Sequence, residues 1–451
     1  MKWFAQTALI LLITFSCLPA HAGGLIRDAE IEATLRDYAD PIFKAAGLKP
    51  SAIHIYIVQD DSLNAFVAGG QNLFIHTGLI MEMKDPSMLM GVMAHETGHI
   101  SGGHLAKGAE KLKDAQLGTI LSAVLGAAAA AATGRPEAAA AVITGTSGAV
   151  MRNVLSFSRA NENAADQAGM GFLDKLGISA SGMTEVFALL KRQERQRLGS
   201  PDPYLLTHPL SSERIENVKS HVGRSAIPQG TYPKSLDEKH ARMVAKLYAF
   251  LNVPEKTLQR YPAGNNSVAN QMARAIAFFM QAKVDQATAI MDALIKERPN
   301  DAYLYDLKGQ ILFESARIDD AYDAYRTANK LAPNESLILV ELAKAELALG
   351  TPADITQAQQ HLERSLALDR DSPGAWHLLA IAHGKQGNEA MSSLALAEEA
   401  LLAGDADGAI VQAGRALGKL PAKSPSHQRA EDLKQRAQQM KKEQKDAESS
   451  F

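Results

Sequence analysis

The sequence predicts an α+β domain that is followed by an all-α solenoid of repeated helix pairs. Strand-like segments cluster between residues 52 and 77, and helical patterns continue from there to about residue 225. From about residue 268 the helical segments recur with a fixed period. A chain of 451 residues also exceeds the roughly 250–300 residues at which single hydrophobic cores stop growing, so at least two domains are expected.

The composition is that of an ordinary globular protein. Hydrophobic residues make up 46% of the chain, and the formal net charge of −3 gives no reason to expect a nucleic acid as partner. Cys17 is the single cysteine. Because it lies in the N-terminal segment that we expect to be removed, the mature chain would form no disulfide and no thiolate metal site. Export without cysteine suits a bacterial envelope protein and restricts metal ligands to His, Asp and Glu.

The N-terminus has the three parts of a secretory signal peptide. Lys2 precedes an apolar run over residues 8–15, and Ala20-His21-Ala22 provides a small-residue cleavage site. The sequence therefore predicts a signal peptide over residues 1–22 that is cleaved after Ala22.

Two other interpretations of this segment remain open. A membrane anchor is less favoured, because the apolar run is shorter than the roughly 20 residues that span a bilayer. Lipidation of Cys17 is also less favoured, because residues 14–16 are a poor match to the motif that precedes a lipidated cysteine.

The first domain begins with a helix and continues into a small sheet. Residues 26–46 have apolar side chains at helical spacing, and Pro41 is expected to kink or interrupt that helix. Residues 52–58 are rich in β-branched and aromatic residues, which predicts a strand. Residues 64–68 and 73–77 flank a Gly-Gly-Gln-Asn turn and predict a hairpin. One strand of this sheet is expected to be an open edge that accepts an extended peptide.

The segment His95-Glu96-Thr97-Gly98-His99 places two imidazoles and a carboxylate where a catalytic zinc needs them. Residues four apart lie on the same helix face, so His95 and His99 can both bind one metal ion. Glu96 then lies beside the metal and can take a proton from the attacking water.

The alternative interpretation of this segment is a pair of structural histidines bonded to backbone carbonyls. The flanking sequence favours the metal site. Residues 88–94 form an apolar, helix-compatible run, and Gly102 and Gly103 end it, which places the motif inside a short buried helix.

A catalytic zinc needs a third protein ligand in addition to the two histidines. His104 follows His99 by five residues, whereas the third histidine of the metzincin pattern follows by six, so His104 is predicted to be structural or to support the ligands. Glu162 and Asp166 lie four apart on a predicted helix. Glu162 would complete a His2Glu site, and Asp166 would hydrogen-bond a ligating histidine. A solvated acidic helix face is the alternative for this pair.

Between these two motifs lie two alanine-rich runs, residues 117–133 and 138–154, joined by a turn at 134–137. They predict a helical hairpin. Each run is at the lower length limit for crossing a membrane, and alanine contributes little insertion energy. A hairpin that touches a membrane surface is therefore preferred over two spans, which remain the alternative.

The second half of the chain repeats every 34 residues. Small residues recur at Ala275, Gly309 and Ala343, and prolines at Pro299 and Pro333 have the same spacing. This period and the position of the small residues predict tetratricopeptide repeats, in which each repeat is a pair of antiparallel helices. A three-residue insertion near residues 350–352 shifts the register of the units that follow.

The predicted organisation follows from these segments. A segment rich in glycine and proline over residues 223–239 is the expected start of the connection between domains, and the highly charged residues 429–445 predict a solvated capping helix. The predicted parts are the signal peptide 1–22, a metallopeptidase domain 23–225, a connecting segment 226–267, the repeats 268–425 and a charged C-terminal helix 426–451.

These motifs in combination resemble those of the HtpX-like gluzincin peptidases. The motifs that carry the resemblance are His95-Glu96-Thr97-Gly98-His99, Glu162 with Asp166, Asn64-Ala65-Phe66 with Gly69-Gly70, and Thr207-His208-Pro209 followed by Arg214. The resemblance covers nearly all of the mature chain, and it implies a minigluzincin-type peptidase domain followed by the repeat solenoid.

The resemblance also implies roles for individual residues. His95, His99 and Glu162 would bind one zinc ion, Glu96 would be the general base, and Asp166 would support the site. His208 would approach the zinc as a regulatory fourth ligand from a mobile loop. A histidine in a proline-bounded turn is the alternative for His208, and Arg214 would either stabilise developing oxyanion charge or pair with a carboxylate.

These inferences predict a periplasmic zinc metalloendopeptidase that cleaves polypeptides, and they leave open a peripheral association with a membrane. The residues expected to hold the substrate as an added strand are Asn64, Ala65, Phe66, Gly69 and Gly70. The resemblance implies misassembled outer-membrane β-barrel proteins as substrates, the β-barrel assembly machinery as a partner of the repeats, and a membrane-surface contact through residues 117–154.

Two other functions remain open. In the first, the repeats act as a periplasmic chaperone or scaffold, and proteolysis is latent or secondary. In the second, the zinc site hydrolyses a substrate that is not a peptide, which fits the metal motif but neither the edge strand nor the repeats.

Overall fold

The computed structural model describes residues 24–68, 71–104, 159–196, 204 and 208–449. The predictions of a signal peptide at 1–22, of an alanine-rich hairpin at 117–154 and of substrate contacts at Gly69 and Gly70 lie outside these residues. Among the residues described, no helix is both long enough and apolar enough to cross a bilayer.

A four-stranded mixed sheet forms one layer of the first domain. Its strands are β1 (Leu25–Ile26), β2 (His54–Val58), β3 (Ala65–Ala68) and β4 (Asn72–His76), and their order across the sheet is β1-β2-β4-β3. The β2 and β4 strands are parallel, whereas β1 and β3 pair antiparallel with their neighbours. Within the described chain, β3 is therefore an edge strand, and it is followed by its hairpin partner β4 as the sequence predicts.

The first helix, α1 (Ala29–Ala45), packs against the sheet. It begins at Asp28, whose carboxylate accepts a hydrogen bond from the amide of Ile31 at 2.9 Å. Of the two effects expected of Pro41, a kink or an interruption, the interruption does not occur, because α1 continues through that residue. Proline removes the hydrogen bond to the carbonyl four residues earlier, which here belongs to the exposed Asp37, so water can satisfy that group.

Helix α3 (Pro86–Ser101) carries the two predicted histidine ligands through the middle of the first domain. It follows the short helix α2 (Thr77–Glu82) and begins at Asp85, whose carboxylate accepts from the Ser87 amide at 2.8 Å. All fourteen residues from Pro86 to His99 are buried. Such a helix has no solvent face, which explains why its sequence is almost uniformly apolar before the motif.

Two glycines let helix α4 (Arg159–Lys175) approach α3 until their backbones touch. A Cβ atom on Gly98 would lie 2.6 Å from the carbonyl oxygen of Ala165, and one on Gly169 would lie 3.0 Å from the Ala94 carbonyl. Real Cβ atoms do not approach backbone as closely as the first of these distances. The glycines therefore set the separation of the two helices that carry the predicted ligands.

Helices α5 (Ser181–Gln196) and α6 (Ser212–Arg224) complete the first domain, and the predicted connecting segment is itself helical. It contains α7 (Leu236–Leu251) and α8 (Pro254–Arg260). Met243 and Leu247 of α7 belong to the core of the first domain. Ala245 and Ala249, on the same helix, belong to the core of the first repeats. Helix α7 is thus shared by both cores.

Buried ion pairs join α7 to the start of α1 and to the repeats. The Lys246 ammonium is 1% exposed and lies 2.7 Å from a carboxylate oxygen of Asp28. The Arg242 guanidinium lies 2.5 Å from Glu30 and 2.5 Å from Asp301. Because a buried charge is costly without a partner, each group at this junction depends on the others.

The rest of the chain consists of antiparallel helix pairs, as the 34-residue period predicts. The helices are α9 (Val268–Met280), α10 (Val284–Glu297), α11 (Ala302–Glu314), α12 (Ile318–Leu331), α13 (Ser336–Leu349), α14 (Pro352–Leu368), α15 (Pro373–Lys385), α16 (Glu389–Leu402), α17 (Ala406–Leu417) and α18 (Pro425–Ser449).

Small residues stand where paired helices meet. A Cβ atom on Gly309 would lie 2.7 Å from the ring of Tyr325, so glycine makes room for that buried ring. The last helix, α18, buries Ala430, Leu433 and Ala437 against α16 and α17 and exposes its charged residues. This arrangement covers the apolar end of the solenoid.

The close approach of α3 and α4 predicts different effects for two glycine substitutions. Gly98→Ala should destabilise the first domain by about 1–3 kcal/mol, because its methyl group would overlap the α4 backbone. Gly171→Ala is the matched control on α4, since nothing lies within 4 Å of its added Cβ. It should be neutral or stabilise by up to about 1 kcal/mol through helix propensity. Calorimetric unfolding of both full-length variants tests this, and equal transition temperatures would contradict it.

Candidate metal centre

Four buried side chains converge at the crossing of α3 and α4. They are His95, His99, Glu162 and His208, and each offers one ligand atom within 4.8 Å of the others. The two α3 histidines stand one helical turn apart, Glu162 lies in the first turn of α4, and His208 enters from the segment before α6. Elements distant in the sequence therefore meet at one point.

The distances between these atoms fit a tetrahedral metal ion. Glu162 carboxylate oxygens lie 3.4 Å from His95 Nε2 and 3.3 Å from His99 Nε2, and the two Nε2 atoms are 3.1 Å apart. His208 Nδ1 lies 3.3 Å from His95 Nε2 and 3.2 Å from Glu162 Oε1. Ligands held at about 2.0–2.1 Å from one tetrahedral zinc are about 3.3–3.4 Å apart. The donor set, nitrogen and carboxylate oxygen, also suits zinc.

A chain of charged groups orients His95. Its Nδ1 lies 2.7 Å from Asp166 Oδ1, so the Nδ1–H group donates to the carboxylate and Nε2 is left to face the cluster. The Arg214 guanidinium donates to both oxygens of Asp166, at 2.7 and 2.9 Å. It also lies 2.6 Å from Glu162 Oε2. Arg214 thus forms ion pairs with both carboxylates of α4. Its side chain is therefore arranged for pairing with carboxylates, one of the two roles expected from the sequence.

The position of Arg214 follows from how α6 begins. The side-chain oxygen of Ser211 accepts a hydrogen bond from the Arg214 amide at 3.2 Å and caps the helix. This places the arginine in the first turn, where its side chain is only 1% exposed. Arg214 Nη1 also donates to the Pro209 carbonyl at 3.0 Å, which ties the segment that carries His208 to α6.

His99 has its own supporting contact. His104 Nδ1 lies 3.0 Å from His99 Nδ1, on the side of the ring away from the cluster. His104 therefore lies against His99 and is not one of the four converging side chains. This is the supporting position that the sequence predicts for it.

Glu96 lies beside the cluster without belonging to it. Its carboxylate is fully buried, and neither oxygen has a hydrogen-bond partner within the described part of the chain. The nearest basic group is His208, whose Nε2 lies 3.5 Å from Glu96 Oε1. Burial raises the pKa of Glu96, and the charges of His208 and His95 oppose this rise. Such a carboxylate is suited to accept a proton.

Charge around the cluster depends on what occupies it. Burial opposes protonation of His95, but Asp166 and Glu162 outweigh it and raise the pKa of His95 to about 10. Burial lowers the pKa of His99 to about 3, although Glu162 opposes this shift. Burial alone would raise the pKa of Glu162, but hydrogen bonds from His208, His95 and His99 hold it below its usual range. His95 therefore carries a positive charge beside the Glu162 carboxylate. A metal ion bound at the cluster would supply that positive charge in place of the proton.

Tyr204 is a residue of the site that the sequence did not indicate. Its ring is 3% exposed and stacks on the His208 imidazole with a centroid distance of 4.7 Å and an interplanar angle of 28°. The His208 amide donates to the Tyr204 carbonyl at 2.7 Å. One tyrosine four residues before a histidine carries no recognisable pattern, so only the fold reveals this contact.

Of the predicted substrate residues, Ala65 and Phe66 lie on the edge strand β3, and Asn64 directly precedes it. Helix α3, which carries His95 and His99, packs against β3. Asn64 and Ala65 are buried and Phe66 is half-buried. The Asn64 side-chain oxygen has no hydrogen-bond partner among the described residues, although it is buried.

Comparison with known proteins agrees with this arrangement. The sequence profile of Peptidase family M48 matches residues 26–222. The chain is 28% identical to the beta-barrel assembly-enhancing protease of Escherichia coli (strain K12) over 391 residues, which cover 86% of this chain and 78% of that protein. It is 26% identical to the protein of the same name from Yersinia pestis over 388 residues, 84% of this chain and 78% of that one.

A further relative matches a shorter part of the chain. The metalloprotease LoiP of Escherichia coli (strain K12) is 29% identical over 179 residues, 40% of this chain and 66% of that protein. The match of the family profile spans the sheet, α3, α4 and α6, and therefore all four converging side chains. Residues 26–222 make up a domain of peptidase family M48, and the chain that carries it is a metallopeptidase.

Proposed function

We propose that this metallopeptidase is a periplasmic zinc endopeptidase that takes part in the quality control and assembly of outer-membrane β-barrel proteins. The observation that carries the catalytic part is the convergence of His95, His99 and Glu162 beside the carboxylate of Glu96, which accepts no hydrogen bond within the described residues. The names of the relatives support the biological part. The signal peptide expected at residues 1–22 supports export.

In this proposal His95, His99 and Glu162 hold one zinc ion, and His208 is a fourth ligand in the resting protein. When bound, zinc supplies Lewis acidity, which polarises the scissile carbonyl and lowers the pKa of water toward about 7. Asp166 and Arg214 keep the His95 ring in its orientation. Arg214 would act through these carboxylates, since its three hydrogen-bonding nitrogens are directed at Asp166, Glu162 and the Pro209 carbonyl.

Glu96 would act as the general base and then as the general acid. Its carboxylate takes a proton from the attacking water and delivers it to the leaving amine. Burial assists the first step, because it raises the pKa of Glu96 and makes the carboxylate more basic than one in water. A substrate must first displace His208, which at present lies 3.5 Å from Glu96.

The substrate would lie along β3 as an added strand, so that Asn64, Ala65 and Phe66, with Gly69 and Gly70, contact it. Backbone pairing with an edge strand recognises extended polypeptide without demanding one sequence. The repeats would bind the substrate or the β-barrel assembly machinery, and the alanine-rich segment 117–154 would contact a membrane surface.

A second candidate function is a chaperone or scaffold in which proteolysis is secondary. The observation that favours it is the extent of the repeats, which comprise the helices from α9 to α17. Complementation of an outer-membrane assembly defect separates the two functions. If proteolysis is the main role, Glu96→Gln should not rescue cells that lack the protein, whereas the unaltered chain should. Full rescue by Glu96→Gln would favour the scaffold.

The role of Glu96 can be tested in purified protein. Glu96→Gln should retain one metal ion per chain and lower peptide hydrolysis by about 10²- to 10⁴-fold, because the amide cannot accept the proton. Metal content by mass spectrometry and cleavage of a quenched fluorescent peptide measure the two effects. Glu82→Gln, at the exposed end of α2, is the control and should leave both unchanged. Hydrolysis at the unaltered rate in Glu96→Gln would refute the mechanism.

The role of Arg214 as a positioning residue predicts a loss of metal affinity. Arg214→Met leaves Asp166 and Glu162 buried without their cation, so metal should bind about 10- to 100-fold more weakly. Competition with a chelator measures this affinity. The control is Arg224→Met, which removes an exposed arginine from the same helix. Equal metal affinity in the two variants would show that Arg214 does not position the ligands.

A further inference from the structure

Three aromatic rings stack in a row across the sheet. Tyr56 of β2 and Phe74 of β4 are register partners, and their ring centroids are 5.0 Å apart at an interplanar angle of 20°. Phe66 of β3 is the register partner of Phe74 on the other side, at 4.9 Å and 11°. We call Tyr56, Phe74 and Phe66 the aromatic row. It crosses three neighbouring strands and ends on the edge strand.

The aromatic row lies on the face of the sheet that does not form the core. Side chains alternate between the two faces of a strand. The neighbours of these rings, Ile57, Leu73, Ile75, Ala65 and Val67, are all buried in the core of the first domain. The three rings are themselves only half-buried. Three partly exposed aromatic side chains in register form an apolar surface on the outer face of the sheet. Folding alone does not require an apolar surface there, which points to a binding role.

The end of the row coincides with the place where an extended substrate would pair. In the described chain β3 has a strand neighbour on one side only, and α3 packs against this strand. A peptide added along β3 would present every second side chain on the face that carries Phe66. Side chains directly opposite on adjacent strands have Cβ atoms about 4.5–5.5 Å apart, close enough for aromatic rings to stack.

We infer that Phe66, supported by the rest of the aromatic row, selects substrate segments that carry an aromatic residue on the face directed at it. An aromatic side chain of the substrate would become the fourth ring of the row. This inference rests on the proposed function and narrows the substrate class. Strands of membrane β-barrels alternate apolar and polar residues and carry aromatic residues at both membrane interfaces. Before assembly, such a strand has the pattern that the edge of this sheet would recognise.

Binding to a catalytically inactive chain tests the inference separately from cleavage. Full-length Glu96→Gln protein is mixed with two labelled ten-residue peptides of alternating threonine and valine with lysine ends, one of which has a central valine replaced by phenylalanine. Fluorescence anisotropy should show that the phenylalanine peptide binds about 2- to 10-fold more tightly, the range expected for one aromatic pair. Adding Phe66→Ala should abolish this preference, so that the two peptides bind with equal affinity.

Three further variants guard the interpretation. Phe66→Leu keeps apolar bulk on the strand and should also lose the preference, whereas Phe66→Tyr should retain it. Phe279→Ala removes a half-buried ring from α9, which is far from the sheet in the sequence, and should keep the preference for the phenylalanine peptide. Equal binding of the two peptides, binding of neither, or a preference that persists in Phe66→Ala would overturn the inference. The proposed function fails on a different result, namely that the unaltered chain does not cleave the peptide that it binds.

Discussion

The site depends on how closely two helices cross. Gly98 and Gly169 remove the side chains that would otherwise separate α3 from α4, and the backbones meet. At this separation the first turn of α4 brings Glu162 to 3.3–3.4 Å from both histidines of α3. A larger residue at Gly98 would overlap the backbone of α4 and force the two helices apart. The chemistry of the centre is therefore set by backbone packing before any ligand contributes.

The same crossing buries several ionisable groups together, and their mutual pairing offsets the cost. Glu162 and Asp166 lose water when α4 packs on α3, and Arg214 enters from α6 to face both. His95 links the pair to the cluster through its contact with Asp166. One charge in this group cannot be removed without stranding another, because the low-dielectric interior offers no substitute for a lost partner. Glu96 is the exception, since its oxygens have no hydrogen-bond partner within the described residues, and a group in that position remains able to exchange a proton.

Local patterns in the sequence predict the parts of this arrangement that are encoded by spacing. The two histidines His95 and His99 are four residues apart, and so are Glu162 and Asp166. The repeats are recognisable by their 34-residue period. Contacts made by the fold alone cannot be found in this way. The stacking of Tyr204 on His208 and the pairing of Arg214 with two carboxylates join segments with no common periodicity. Pro41 misleads because helix propensity is judged locally, whereas tertiary packing decides whether α1 continues.

Helix α7 has a mechanical consequence. Apolar side chains of α7 are buried in the cores of both domains, and Arg242 and Lys246 form ion pairs with α1 and with the start of α11. Helix α7 is therefore not a flexible hinge. A rotation of the solenoid relative to the first domain would expose apolar side chains of α7 from one of the two cores to water. The imidazole of His240 on this helix contacts the Met83 carbonyl at 2.9 Å, three residues ahead of α3. A displacement of the solenoid relative to the first domain would therefore be transmitted through α7 to the start of the helix that bears the two histidines.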